Sequence, residues 1–227
     1  MIITHCYWQL DKKTGTWPGT DNHQETSQLP AMMKRRLTPL GRQAIEMLYK
    51  HITQAEIPWI ISCQHADAIR KVRLLSSIAK KELISPTDFS LSVHNAIIGI
   101  FSIATQNKQM HTAITGSDAS FETGLLEALA LQIDKKCTVG YIYYDAFLPK
   151  QLIEIDAEDY PITCIAMIFS EQKNAQALQI SYTKNEKSVA DPQPNKIKAF
   201  VDYLESDEQI HTISTSGGNI FLARVGL

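Results

Sequence analysis

The chain reads as an α/β protein: helices layered around a mainly parallel sheet, followed by a short α+β segment. Three observations carry that reading. Short apolar runs rich in β-branched and aromatic residues (Ile57–Cys63, Thr112–Thr115 and Cys137–Tyr144) alternate with stretches of helical periodicity. A tight turn, Thr115-Gly116-Ser117-Asp118, joins one of those runs to the helix that follows it. Beyond Phe147 the texture changes to successive strands, which predicts antiparallel pairing in the last third.

In chain order, Ile2–Leu10 is apolar and β-prone and reads as the first strand. Asp11–Pro30 is polar and reads as a long loop, an unusual length for an inert connector. Thr38 caps a helix that opens at Pro39, where a missing N–H is harmless. Leu40, Ala44, Met47, Leu48 and His51 fall on one stripe of that helix. Residues 66–82 form a further helix, with Ile69, Val72, Leu75, Ile78 and Ala79 expected on its buried face. Ser92–Thr105 is almost wholly apolar and predicts a helix enclosed in a core or an interface. Ser120–Ile133 is helical, with Leu125, Leu126, Leu129 and Ile133 turned inward. Tyr160–Ser170 and Ala177–Thr183 are strands, and Lys184–Pro194 is a polar loop. Asn195–Glu205 is a helix. Gln209–Thr215 and Asn219–Val225 form a hairpin about Gly217-Gly218.

Bulk properties narrow the function classes. A chain of 227 residues suits one large domain and can bury roughly 70% of its unfolded surface. A net charge of −2 argues against bulk nucleic-acid binding. Cys6, Cys63, Cys137 and Cys164 show no CxxC spacing and fit reduced thiols in a cytoplasmic protein. The N-terminus lacks the pattern of a signal peptide, and no apolar run has the length of a membrane span. The seven histidines show neither HExxH nor paired ligand spacing, and there is no GxGxxG or Walker loop. No metal or cofactor is therefore expected. Thr115-Gly-Ser-Asp-Ala119 is also not the GxSxG of an α/β-hydrolase.

Several motifs occur in order: Lys34-Arg35-Arg36-Leu37-Thr38-Pro39-Leu40-Gly41-Arg42, Ser90-Leu91-Ser92-Val93-His94-Asn95, Gly124-Leu125-Leu126-Glu127-Ala128, and Tyr143-Tyr144-Asp145 with Leu148-Pro149. Together they resemble the short branch of the beta-ketoacyl synthases that retains only the N-terminal half, whose members are described as chain-length factors, often of aryl polyene pathways. The resemblance covers about residues 30–150 well and the last third poorly. It implies a thiolase-like fold, with residues 1–150 as the ketosynthase-like half and 151–227 as strands and a helix completing the same domain. It also implies a non-catalytic subunit, paired with a ketosynthase and visited by an acyl carrier protein, that helps close the tunnel where the acyl chain grows. Ser117 then stands where the synthases carry their nucleophilic cysteine, and nothing here matches their two catalytic histidines.

The candidate residues follow. Ser117 lies at a strand-to-helix bend, either as a plain helix cap or as a serine nucleophile for acyl transfer or malonyl decarboxylation. A hydroxyl there needs an adjacent base to react, and His94 is the candidate. The alternative for His94 and Asn95 is to satisfy backbone groups at a helix start. The resemblance implies that Phe89, Leu91, Val93, His94, Asn95, Ile97, Ile98 and Phe101 lie at the tunnel floor and subunit contact. Met32, Met33, Met47, Trp8, Trp17 and Trp59 fit plain core or tunnel lining. Lys34, Arg35, Arg36 and Arg42 are either a solvated helix entry or a docking patch for an acidic carrier protein or the partner subunit.

Overall fold

A computed structural model of the chain describes residues 2–10, 13–18, 29–51, 56–146, 163–171, 176–184 and 196–226. Its strands are β1 (Ile2–Leu10), β2 (Lys13–Trp17), β3 (Trp59–Ser62), β4 (His111–Ile114), β5 (Val139–Asp145), β6 (Thr163–Ser170), β7 (Gln176–Lys184), β8 (Ile210–Thr215) and β9 (Gly218–Gly226). Its helices are α1 (Ala31–Lys34), α2 (Pro39–His51), α3 (Ala68–Ala79), α4 (Pro86–Ser90), α5 (Ala96–Thr105), α6 (Ser120–Lys135) and α7 (Lys196–Glu205).

All nine strands belong to one sheet in the order β4-β3-β5-β6-β1-β7-β9-β8, with β2 paired to β1. The parallel pairs are β4 with β3 and β3 with β5; the other pairs are antiparallel. β1 links the two regions. Its first residues pair with β7, a register shift follows between Ile3 and His5, and its C-terminal part pairs with β2. The shift lies in the pairing with β6, and a bulge of this kind re-aims a strand.

Strand alternation divides the core into two layers. Ile60, Tyr141, Tyr143, Ile165 and Met167 face α6 and α7, whereas Trp59, Ile61, Ile142, Tyr144 and Ala166 face α2 and α5. β5 is buried along its whole length, as expected of a strand covered on both faces. α2 buries Leu40, Ala44, Met47 and Leu48 of the stripe read from its periodicity, and the His51 side chain lies outside what is described. Thr38 Oγ1 accepts from the Gly41 N–H at 3.4 Å. Two glycines permit close approach. A Cβ at Gly124 would lie 2.5 Å from Ser62 Oγ, and one at Gly140 would lie 2.5 Å from the Trp59 ring.

The structure differs from the sequence reading in five places. The sheet is mixed, not mainly parallel, because helical crossovers bring only β3, β4 and β5 into parallel pairs. Lys13–Trp17 is a strand, not loop, because β1 offers it an unpaired edge. The helix over 66–82 is shorter, and its apolar stripe faces outward: Ile69, Leu75 and Ile78 are exposed, while Ala68, Arg70 and Leu74 are buried. The apolar Ser92–Thr105 segment becomes helical only at Ala96, after the separate helix α4. Ile133, expected inside, is exposed near the end of α6. Leu148-Pro149 and most of the predicted Lys184–Pro194 loop lie outside the described residues.

Candidate functional site

The carboxyl ends of β4, β3 and β5 lie side by side, the place where parallel sheets hold their ligands. The Cys63 N–H donates to the Ile114 carbonyl at 3.4 Å, which fixes the chain leaving β3 against the end of β4.

After β4 the chain bends through residues 115–119 into α6. The bend is closed by Ser120, whose hydroxyl accepts from the Gly116 N–H at 2.9 Å and donates to the Ser117 carbonyl at 2.6 Å. Gly116 is required by space, since a Cβ there would meet Thr123 Oγ1 at 2.8 Å. Ser117 occupies the apex with φ 55°, a left-handed backbone that only glycine adopts without cost. The N-cap of α6 is Ala119, with no side-chain cap bond. Ser117 therefore does not act as the expected capping side chain. It is exposed, and its hydroxyl has no hydrogen-bond partner among the described residues.

His94 is engaged elsewhere. Its Nδ1 lies 2.8 Å from Cys63 Sγ and its Nε2 lies 3.3 Å from Lys71 Nζ. An ammonium has only donors, so Nε2 accepts and the ring proton sits on Nδ1, directed at the Cys63 sulfur. Burial and then the Lys71 charge hold the imidazole below the ordinary histidine pKa. Neither nitrogen is left to serve Ser117 as a base. The Cys63–His94 pair is not an activated dyad either. Burial first, and then Asp145, push the Cys63 thiol up to about 12, which keeps it protonated.

Asp145, at the end of β5, organises the turn after β3. Its carboxylate accepts from the backbone N–H groups of Gln64, His65 and Ala66 at 3.0 Å each, from Ala146 N–H at 3.1 Å and from the Tyr143 hydroxyl at 3.1 Å. Burial raises its pKa above the ordinary aspartate value, and the N–H bonds oppose that rise. Alongside it, Arg70 acts as a clamp. It contacts Asp67 at 2.9 Å, Asp88 at 2.6 Å and the Arg36 carbonyl at 2.7 Å, tying α3 to α4 and to the segment before α2.

The expected tunnel and contact residues fall into two groups. Ile97, Ile98 and Phe101 are buried in this chain's own core, with Phe101 packed edge-on against Trp59 and Tyr49. They are core of this chain, not its surface. Phe89, Val93 and Asn95 are exposed, and Leu91 is half-buried. Trp8, Trp17, Trp59 and Met47 are buried as plain core, whereas Met32 is exposed. Of the cationic cluster, Lys34 pairs with Glu46 at 2.6 Å and Arg42 donates to the Lys34 carbonyl. The Arg35 and Arg36 side chains are exposed without an ion-pair partner among the described residues. No group of three potential metal ligands occurs among the described residues.

The sequence reading missed Lys71, Arg70 and the joining of Cys63 to His94. Asp145 entered the sequence reading only within the Tyr143-Tyr144-Asp145 motif, just past an apolar strand, and was given no role. Its place there was a usable signal, because a carboxylate closing a buried strand must find donors.

Comparison with known proteins gives these features a family. Residues 7–218 match the family described as Beta-ketoacyl synthase, N-terminal domain, and the chain belongs to it. Among curated proteins none matches. A chain of the Xenorhabdus doucetiae structure described as ketosynthase (ApeO) in complex with its chain length factor (ApeC) is similar at TM-score 0.73 and 21% identity, over 99% of this chain and 100% of that one. A chain of the ishigamide ketosynthase/chain length factor is similar at TM-score 0.53 and 11% identity. That match covers 68% of this chain and 51% of the other, so it spans about half the neighbour's length. The fold is thus thiolase-like and of the α/β class.

Proposed function

We propose that the chain is a non-catalytic chain-length-factor subunit. It pairs with a ketosynthase and shapes the acyl tunnel in aryl polyene or related type II polyketide synthesis. A carrier protein docks transiently, with Arg35 and Arg36 as the free cations of the expected docking cluster. Residues 151–227 complete the same domain as 1–150.

The observation that carries this reading is an unfinished surface at one end of the sheet. Among the described strands β4 lies at the edge, with His111 and Ala113 exposed, and one side of it has no strand partner among the described residues. In the chain that leads from β3 to β4, Ile69, Leu75, Phe89, Val93, Ile103 and Met110 are exposed, with Ile103 at 68% and Phe89 at 63%. Large apolar side chains left exposed along the connections to an edge strand support a partner surface. The unactivated Ser117 hydroxyl supports the non-catalytic half of the reading. A serine enzyme needs a base, and His94 is consumed by Cys63 and Lys71.

The test is co-expression with a full-length ketosynthase from the same gene neighbourhood, followed by size-exclusion chromatography and a product assay. The expected outcome is a one-to-one complex in which Ser117→Ala leaves product formation within about twofold. A complex that loses product on Ser117→Ala, or an acyl adduct on Ser117, would establish the serine enzyme instead.

A further inference from the structure

The unfinished end of the sheet carries a charge pattern of its own. Residues 30–118 hold eleven lysines and arginines against six carboxylates, whereas the whole chain holds 22 against 24. The basic excess therefore belongs to the segment that builds the apolar face, and the remainder of the chain is acidic.

Local pairing sharpens the imbalance. Asp67 and Asp88 are both taken up by Arg70, and Glu46 by Lys34. On α3 the outward stripe of Ile69, Val72 and Leu75 is bordered by Arg73 and Lys80, which follow Ile69 by four and eleven residues and so run nearly in line along the helix. Lys81 follows just past the helix end, with φ 57°. Arg73, Lys80 and Lys81 are exposed, and none has an ion-pair partner among the described residues.

We propose that this basic border selects the partner. The surface fits a subunit whose facing side is apolar and fringed with carboxylates, and it rejects a second copy of this chain. The proposal rests on the chain-length-factor reading above and adds what decides between a mixed pair and a like pair. Two copies meeting face to face would gather two basic borders in one partly desolvated seam, and like charges brought together there oppose association. An acidic fringe turns the same cations into attraction, which acts mainly on encounter and on discrimination between partners and is weakened by salt.

The experiment measures affinity between the full chain and the co-purified ketosynthase at about 0.05 M and about 0.5 M salt. It compares wild type, the triple variant Arg73→Glu/Lys80→Glu/Lys81→Glu, the single variant Lys80→Glu, and Lys184→Glu on the exposed end of β7 as a control that matches the charge change of Lys80→Glu. Lys80→Glu alone keeps the test open if the triple variant does not fold. Wild type is expected to lose affinity on the order of tenfold between the two salts. The triple variant should bind at least about tenfold more weakly at low salt and lose that salt dependence, with Lys184→Glu matching wild type. A tight complex indifferent to salt and to the triple change would overturn the charge proposal and leave the chain-length-factor reading standing. Absence of a complex at both salts, or a wild-type homodimer occupying the face, would overturn both.

Discussion

The two ends of the sheet are finished in different ways. At the antiparallel end α7 covers β8 and β9, and Arg224 ties the seam. It donates to the carbonyls of Tyr203, Leu204, Ser206 and Glu208 and lies over the Trp17 and Tyr203 rings. β8 is also an edge strand, but of the large apolar side chains on β7, β8, β9 and α7 that are described, Tyr182 and Ile210 are the exposed ones. At the parallel end the interior is equally well joined, through Asp145, Arg70 and the Cys63–His94–Lys71 cluster, but several large apolar side chains are exposed and the outer side of β4 has no strand partner among the described residues. Internal order therefore does not explain the exposed residues. The parallel end is well built on its inner side, and its outer side has the character of half an interface.

The largest expected effect tests that contrast inside one stretch of chain. Phe101→Ala empties a site that is 0% exposed, between Trp59 and Tyr49. It should cost about 3–5 kcal/mol in urea unfolding. Phe89→Ala, twelve residues earlier, should change stability by less than about 0.5 kcal/mol and instead weaken the ketosynthase complex. If Phe89→Ala unfolded the protein as Phe101→Ala does, the outer surface would have to be counted as core.

The same contrast explains what could be read in advance. Strands were legible because β-branched runs need only local preference and a sheet to join. β1 runs from Ile2 to Leu10, as read. The α2 stripe was legible because its apolar face meets its own sheet. α3 was misread because periodicity marks an apolar stripe without saying what covers it. Its stripe is exposed at Ile69, Leu75 and Ile78, while the truly buried face holds Arg70, a charged residue satisfied by Asp67, Asp88 and a carbonyl. The elbow at Ser117 was legible as a bend but not as a strained one. The Cys63–His94 contact joins residues 31 apart on different elements, a distance that no motif spans.

An intermediate effect concerns pH. His94 is held below its ordinary pKa by burial and Lys71, and His5 and His211 by burial. A lowered histidine pKa means that the unfolded chain takes up protons before the folded one does. The stabilising contribution is thus complete above about 6.5 and lost as pH falls from there through the folded value. His94→Gln should remove the share of the parallel end and leave that of His5 and His211. Unfolding free energies between about pH 7.5 and pH 5 would show this as a shallower slope. An unchanged slope would mean that the Cys63–His94–Lys71 cluster contributes nothing to acid sensitivity.

The smallest effect separates strain kept for architecture from strain kept for chemistry. All five non-glycine residues with positive φ among the described residues, Ala66, Lys81, Gln106, Ser117 and Lys136, fall in the parallel half. Gln106 and Lys136 end helices α5 and α6, where a left-handed residue is ordinary. Ser117 follows a strand and leads into a helix, and its φ serves no helix end. Ser117→Gly removes the Cβ conflict but adds freedom to the unfolded chain, so the expected gain in stability is at most about 1 kcal/mol. For a shaping subunit that change should leave the ketosynthase complex and its product distribution as they were, because the hydroxyl reaches no base. A gain in stability accompanied by loss of product would show that the bend holds Ser117 out for a reaction, and would move the chain from the closing half of a tunnel to a participant in its chemistry.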